Sequence, residues 1–443
     1  MADEMAERET IYALSSGGLP SGVAVVRLSG PRVRFVVETL CGTMPEPRRA
    51  SLRRLRDPRE GQVLDEALVI VFEAPASFTG EDVAEFHLHG GRAVVAAFLR
   101  ALERFDGVSP AEAGAFTRRA FEAGRLDLTE VEGLGDLIQA DTEAQRRLAL
   151  RQMGGELGRL YDRWRTVLVR CRAMIEAELD FADEEDVPGS VGETIWEDVI
   201  RIRDEISRHL SDNRRGERLR SGLQVVLLGP PNAGKSSLLN ALAQRDVAIV
   251  TEEAGTTRDL IEVYLDLGGY PVCLVDTAGL REGGAGAIEK EGMRRALERA
   301  RSADLVLWLG VAGEKRDALS EDWGSGTVWR IATKTDLRAA GSDEIGCSVV
   351  LEGGLDLLLA RLSRFASETI GATEAPVLTR ARHRDGLRRC LEGLDRALEG
   401  SARALELRAE DLRLAADGLA RIVGKTDVED LLDVIFRDFC IGK

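Results

Sequence analysis

The chain has 443 residues, 44 % hydrophobic and 31 % charged, which supplies apolar material for about two to four domains and excludes a disordered or collagenous chain. Its 60 basic against 76 acidic side chains leave a net charge of −16, which disfavours a broad electrostatic grip on nucleic acid and confines any RNA contact to local patches. The longest apolar runs, such as VVLL at 225–228 and LVLWL at 305–309, fall far short of the roughly 20 residues a membrane-spanning helix needs.

The opening MADEMAERET is acidic and lacks the apolar stretch of a signal peptide, so a cytoplasmic protein is expected. From Glu9 to about Ala115, β-rich runs (GVAVVRLSG, EALVIVFEA, EDVAEFHLHGG) alternate with helical patterns such as RAVVAAFLRALERF, and the spacing predicts an α+β domain. Within it, Arg53-Arg54-Leu55-Arg56 reads as a solvated helical or loop face. His87 and His89 share a strand face but have no evident third ligand, so no metal is predicted there. From Glu130 to Asp180 apolar residues recur at three and four, strand signals vanish, and long helices are expected up to about Arg220.

Between Gly222 and about Ile370, strands return as LQVVLLG, YPVCLVD, ADLVLWL and VWRIATK, each separated by a helical stretch. This is the alternation of a mostly parallel, doubly wound sheet. Helical periodicity resumes after Pro376, with Arg380-Ala381-Arg382-His383-Arg384 read as another solvated face. Helices on both sides of an α/β unit suggest that the unit is inserted into one helical domain. The expected division is an N-terminal α+β domain at 1–118, the first part of an all-α helical domain at 119–215, an inserted α/β P-loop domain at 216–372 and a second helical part at 373–443. Six cysteines (Cys41, Cys171, Cys273, Cys347, Cys390, Cys440) are scattered without CxxC spacing, which predicts reduced thiols and no zinc site.

Gly229, Gly234, Lys235 and Ser236 stand in G-x-x-x-x-G-K-S spacing after a strand pattern and before a helical one, the context a phosphate-binding loop requires. The glycines let successive N–H groups curl around a phosphate, Lys235 brings a point charge to the β/γ oxygens, and the Ser236 hydroxyl suits Mg²⁺. Asn232, Ala233 and Ser237 belong to the same binding loop. Downstream, Gly255-Thr256-Thr257-Arg258-Asp259 fits a switch in which Thr257 reports the γ-phosphate through Mg²⁺, and Asp276-Thr277-Ala278-Gly279 ends a strand with Asp276 in the metal shell. Together these parts predict a nucleoside triphosphatase. Guanine over adenine is expected from Thr333-Lys334-Thr335-Asp336: Asp336 accepts from the base N1 and N2 groups and Lys334 stacks on it, whereas Thr333 lacks the amide of the usual N-K-x-D reader. Cys347-Ser348-Val349 stands where an S-A-K loop is customary. The residue after Gly279 is Leu280, where Ras-like enzymes carry a water-orienting Gln, so that group must come from elsewhere. On chemistry alone, Asn232 serves equally as the seat of a monovalent cation or as an ordinary turn residue.

The strings G-P-P-N-A-G-K-S, A-G-T-T-R-D and D-T-A-G-L-R-E, together with the final Phe439-Cys440-Ile441-Gly442-Lys443, make the chain resemble the MnmE (TrmE) family of tRNA uridine-modification GTPases over essentially all of its length. The resemblance implies a K⁺-dependent GTPase that dimerises across its switch faces. It further implies action with an FAD- and NADH-dependent MnmG-type partner, in a heterotetramer, on the wobble uridine (U34, C5 position) of certain tRNAs. The one-carbon donor it implies is a folate, 5,10-methylenetetrahydrofolate or 5-formyltetrahydrofolate. By the family pattern GTP is contacted by Thr251, Glu252, Glu253, Ala254, Gly255 and Thr256, with Asn232, Thr251, Glu253 and Thr256 holding K⁺ and Ser236 and Thr257 holding Mg²⁺. The water-orienting acid maps onto Glu289, with Glu282 and Glu291 also eligible because of a one-residue insertion. Folate falls to Arg27, Glu85, Arg125 (Lys in other members) and Lys443: a carboxylate accepts paired pterin N–H groups, and cations suit an anionic tail. Cys440 invites a nucleophilic role, against the equal alternative of an inert, partly buried thiol. The two arginine-rich runs also bring tRNA phosphates to mind, with a solvated face the stronger reading. Two other functions compete: a regulatory GTPase switch in ribosome assembly, and a scaffold with a vestigial nucleotide site.

Overall fold

The computed structural model describes the whole chain except residues 1–8, 181–190, 213, 250–260, 277–297, 315–326, 372–375, 400–403, 427, 438 and 443, and only the backbone of 191–194, 261, 429 and 430. Two compact units divide it, one of residues 1–135 with 423–443 and one of residues 136–422.

The first unit is built on a six-stranded sheet in the order β3-β4-β5-β2-β1-β6. Its elements are β1 (Thr10–Leu14), β2 (Ser21–Ser29), α1 (Val33–Cys41), β3 (Ser51–Arg56), β4 (Val63–Phe72), β5 (Val83–Gly90), α2 (Arg92–Leu102) and β6 (Val108–Pro110). All pairings are antiparallel except β1 with β6. Strand side chains alternate between faces, so Val26, Leu28, Phe86 and Leu88 point into a core closed by Val36, Val37, Phe98 and Leu102 of the two helices. The intervening residues Arg27 and Glu85 stand opposite each other in register on the other face. The run Arg53-Arg54-Leu55-Arg56 is edge strand β3, not a helical or loop face: Leu55 is buried and Arg54 pairs with Glu66 across the ladder. Charged residues on an edge strand block further strand pairing, and they also mask its apolar alternation in the sequence. Beyond β6, α3 (Ala115–Glu122) and α4 (Leu128–Ile138) lead to a cluster in which Leu128 and Val131 pack with Leu432, Phe436 and Phe439 at the C-terminal end of the chain.

The second unit starts with α5 (Glu143–Met153), whose N-terminus carries a reciprocal capping box between Thr142 and Gln145. In α6 (Glu156–Asp180) the buried residues Leu157, Tyr161, Trp164, Leu168, Cys171 and Ile175 recur at three and four and form one stripe. That helix packs on α7 (Val191–Leu210), which is followed by α8 (Arg215–Ser221). The sheet that comes next has seven strands: β7 (Leu223–Leu228), then α9 (Lys235–Ala243), β8 (Ala248–Ile249), β9 (Ile261–Leu267), β10 (Tyr270–Asp276), β11 (Leu305–Val311), β12 (Thr327–Thr333) and β13 (Ile345–Gly346). Its order, β13-β12-β11-β7-β10-β9-β8, is parallel from β13 to β10 and antiparallel through β9 and β8. The chain leaves β7 towards neighbours on either side, so the loop after β7 sits at a topological switch point, the usual ligand position of such sheets. α10 (Asp356–Ile370), α11 (Ala381–Ala397) and α12 (Leu405–Val423) complete the unit, α10 covering one sheet face and α11 packing on α7.

The run Arg380–Arg384 is not a solvated face. Arg380 pairs with Asp136, Arg382 donates to the Ile422 carbonyl, and His383 is fully buried. Arg384, also buried, donates through Nε to Glu217 (3.0 Å), through Nη2 to Asp212 (3.0 Å) and through Nη1 to the Leu210 carbonyl (2.9 Å). The side chain that follows the sheet in sequence thereby fastens the segment that precedes it.

Beside this fork, the His209 ring lies against Tyr161 and Trp164, and burial pushes its pKa down to about 4, against a smaller upward pull from Asp212. A neutral histidine in the folded state contributes stability that is complete above the unfolded value near 6.5 and is lost as pH falls towards 4. His209→Gln is therefore expected to melt less pH-dependently than the wild type between pH 6.5 and 4, by about 3 kcal/mol across that window. Melting curves at stepped pH check this, and parallel pH profiles would contradict it.

Candidate functional site

The glycine loop owes its shape to two contacts. Gly229 has φ 149°, and a Cβ there would stand 2.3 Å from the Leu309 carbonyl of β11, so only glycine lets the loop leave the sheet at this point. Asn232 adopts a left-handed conformation, φ 63°, a region that Asn tolerates better than most residues. Ala233 is buried and Gly234 forms the N-terminal boundary of α9. Lys235 donates through Nζ to the carbonyls of Gly229 (2.9 Å) and Pro230 (3.0 Å), which fixes the cation within its own loop. Ser236 donates its hydroxyl to Asp276 Oδ2 at 2.8 Å, joining the start of α9 to the end of β10. This is the hydroxyl and carboxylate set of hard oxygens that Mg²⁺ prefers. Ser237 follows on the first turn of the helix.

The base-reading loop is tied to the phosphate loop. Thr333 is buried, and its hydroxyl lies 2.8 Å from the Ala233 carbonyl and 3.2 Å from that of Gly310, both acceptors for it. Lys334 then turns with φ 57°, exposed as is Asp336, and Asp336 Oδ1 accepts from Ser348 at 2.6 Å. Ser348, which stands where an S-A-K loop is customary, thus holds the carboxylate. Its signal is positional: it follows Cys347, whose N–H donates to the Ala332 carbonyl and continues the ladder of the short parallel strand β13. Since the Thr333 hydroxyl spans two loops, Thr333→Val should weaken GTP binding about tenfold, while Thr333→Ser should retain wild-type affinity. Titration with a fluorescent guanine nucleotide reads both, and equal affinity of all three proteins would remove the tether from the account.

In the other unit, Arg27 donates through Nε and Nη2 to Glu85 Oε1 at 3.0 and 2.8 Å, and the remaining carboxylate oxygen lies 3.6 Å from His87 Nε2. The Arg27 guanidinium is 5.7 Å from the ring centroids of both Phe78 and Phe116. Arg125 is exposed, its stem against Gly80 in the loop that carries Phe78. His87, which the sequence offers only as an incomplete metal pair with His89, faces the Arg27–Glu85 pair, whereas His89 pairs with Asp65. At the tail, Ile441 bridges Ala113, Ser15 donates to the Gly442 carbonyl at 2.9 Å, and Gly442, φ 95°, packs on Leu14. Cys440 is the exposed thiol among six free cysteines, while burial lifts the pKa of Cys171, Cys273 and Cys347 to about 11. Among the described residues no group of His, Cys, Asp and Glu forms a metal cluster, and no described helix is long and apolar enough to cross a membrane. Thr251, Glu252, Glu253, Ala254, Gly255, Thr256, Thr257, Thr277, Ala278, Gly279, Glu282, Glu289, Glu291 and Lys443 lie outside the described residues.

Comparison with known proteins covers both units. The family model for the GTP-binding protein TrmE N-terminus matches residues 10–125, and that for the MnmE helical domain matches residues 128–440. The chain is 56 % identical to a tRNA modification GTPase MnmE of Parvibaculum lavamentivorans, over 98 % of this chain and 100 % of that protein. It is 53 % identical to the same-named protein of Brucella anthropi over 100 % of both. Among solved structures, the G domain of the T. maritima FeoB iron transporter matches 32 % of this chain and 98 % of that one, at 24 % identity and a TM-score of 0.25.

Proposed function

Because the chain belongs to the MnmE family of tRNA modification GTPases, we propose that it couples GTP hydrolysis to modification of the wobble uridine U34 at C5 in certain tRNAs. It is a GTP-hydrolysing enzyme of tRNA modification. The observation that carries the hydrolysis part of this reading is the Ser236–Asp276 pair beneath the glycine loop, because that oxygen set suits Mg²⁺ at the β/γ-phosphates. In this reading Ser236 and Thr257 hold Mg²⁺, while Asn232, Thr251, Glu253 and Thr256 seat K⁺, whose charge offsets the developing negative charge of phosphoryl transfer. Glu289 orients the attacking water in place of the glutamine that Leu280 replaces.

The proposed one-carbon donor is a folate, 5,10-methylenetetrahydrofolate or 5-formyltetrahydrofolate, held by Arg27, Glu85, Arg125 and Lys443 with Cys440 close by. What supports it is the chemistry of the donor set: a carboxylate oriented by an arginine, two aromatic rings and a second, exposed arginine. We further propose a homodimer acting in the cytoplasm with an FAD- and NADH-dependent MnmG-type subunit, and domains at 1–118, 119–215, 216–372 and 373–443. GTP turnover in KCl against NaCl tests the cation, with at least tenfold slower hydrolysis expected in NaCl; equal rates would take Asn232 off cation duty. Folate binding by Glu85→Gln tests the second site: binding lost with GTP turnover retained supports it, and wild-type folate affinity overturns it.

A further inference from the structure

Helix α6 carries a row of arginines that the catalytic account does not use. Arg159, Arg163 and Arg170 are exposed, and at 3.6 residues per turn they share an arc of about 40°, opposite the stripe buried through Tyr161, Trp164 and Leu168. A rise of 1.5 Å per residue separates the first two by about 6 Å and the last by about 10 Å more. Several other helix arginines of this acidic chain are neutralised one turn away: Arg118 by Glu122, Arg146 by Glu143, Arg172 by Glu176, Arg364 by Glu368. On the α6 row, Arg159 donates only to the Gly154 carbonyl of its own loop, and Arg163 and Arg170 have no acidic partner among the described residues. Asp162, which borders the row, is engaged by other groups. The hydroxyl that borders the arc, Thr166, is turned back on the Asp162 carbonyl.

We propose that this face of α6 binds the phosphate backbone of RNA, the tRNA substrate. A rigid helix presenting unneutralised guanidiniums in a line suits a polyanion with regularly repeated phosphates. A net charge of −16 opposes a broad grip on such a polymer, so the contact is confined to a local basic patch, of which this row is one. The proposal rests on the tRNA-modification reading for its choice of RNA.

The test is fluorescence anisotropy of labelled bulk tRNA with the full-length chain at several KCl concentrations, wild type against Arg159→Gln/Arg163→Gln/Arg170→Gln. The triple variant is expected to bind at least about tenfold more weakly at low salt. The slope of log affinity against log salt should fall by about two to three, as expected for three lost phosphate contacts. GTP turnover and melting temperature should remain at wild-type values, and Arg172→Gln, on another face, should bind tRNA as the wild type does. Wild-type affinity and salt slope in the triple variant would overturn the proposal, as would absence of tRNA binding by the wild type. Loss of binding to anionic vesicles or to an acidic protein with tRNA binding intact would overturn it too, by assigning the row to another partner. If instead cells lacking the chain keep their modified wobble uridine, the tRNA-modification reading itself has failed, whatever the anisotropy gives.

Discussion

Ser236→Ala should lower GTP turnover at least about a hundredfold, the equivalent of nearly 3 kcal/mol of transition-state stabilisation. The hydroxyl is positioned rather than merely present: it sits at the first turn of α9 and donates to Asp276 at 2.8 Å. Asp276 is almost wholly buried at the end of β10. Removing the hydroxyl takes one hard oxygen from the Mg²⁺ set and one donor from a buried carboxylate, while the loop amides that curl around a phosphate remain. Nucleotide affinity should therefore fall much less than turnover. Steady-state hydrolysis alongside nucleotide titration separates the two effects. Full activity in Ser236→Ala would show that the hydroxyl has no part in the chemistry.

Arg384→Ala should cost about 3–5 kcal/mol, the magnitude found when one partner of a buried ion pair is removed, and lower the melting temperature of its unit by about 10 °C. The reason is topological as well as electrostatic. Asp212 and Glu217 lie before the inserted sheet and Arg384 after it, so their pairing closes the base of a long insertion. The truncation would also strand two carboxylates, one of them nearly as buried as Arg384 itself. Arg384→Lys should recover only part of the loss, since an ammonium cannot fork between two carboxylates and the Leu210 carbonyl. An unchanged melting curve for Arg384→Ala would mean that the closure is held elsewhere.

The phosphate loop was legible in the sequence because its chemistry demands residues at fixed spacing, and the central strands were legible because burial on both faces makes them continuously apolar. What the sequence hid was mostly set by distant partners. His383 and Arg384 read as surface because five polar or small residues in a row give no hint that a helix will carry two of them inward to Tyr161 and Asp212. Thr333 looked like a lost amide, and only its distance to Ala233 shows the hydroxyl acting as a tether. The α6 arginines are spread over a dozen positions and become a row only when wound into a helix. Gly268-Gly269, both with positive φ, is the turn of the β9–β10 hairpin, and a Gly-Gly pair between alternating apolar runs is legible as a hairpin signal.

The most direct test of the central claim is nucleoside mass spectrometry of bulk tRNA from cells lacking this chain, complemented with the wild type, Ser236→Ala or Cys440→Ser. The account predicts that a 5-substituted wobble uridine disappears in the deletion, returns with the wild type and stays absent with Ser236→Ala; its absence with Cys440→Ser as well would make that exposed thiol functional. A deletion whose modified uridine is unchanged would contradict the coupling of this GTPase to tRNA modification.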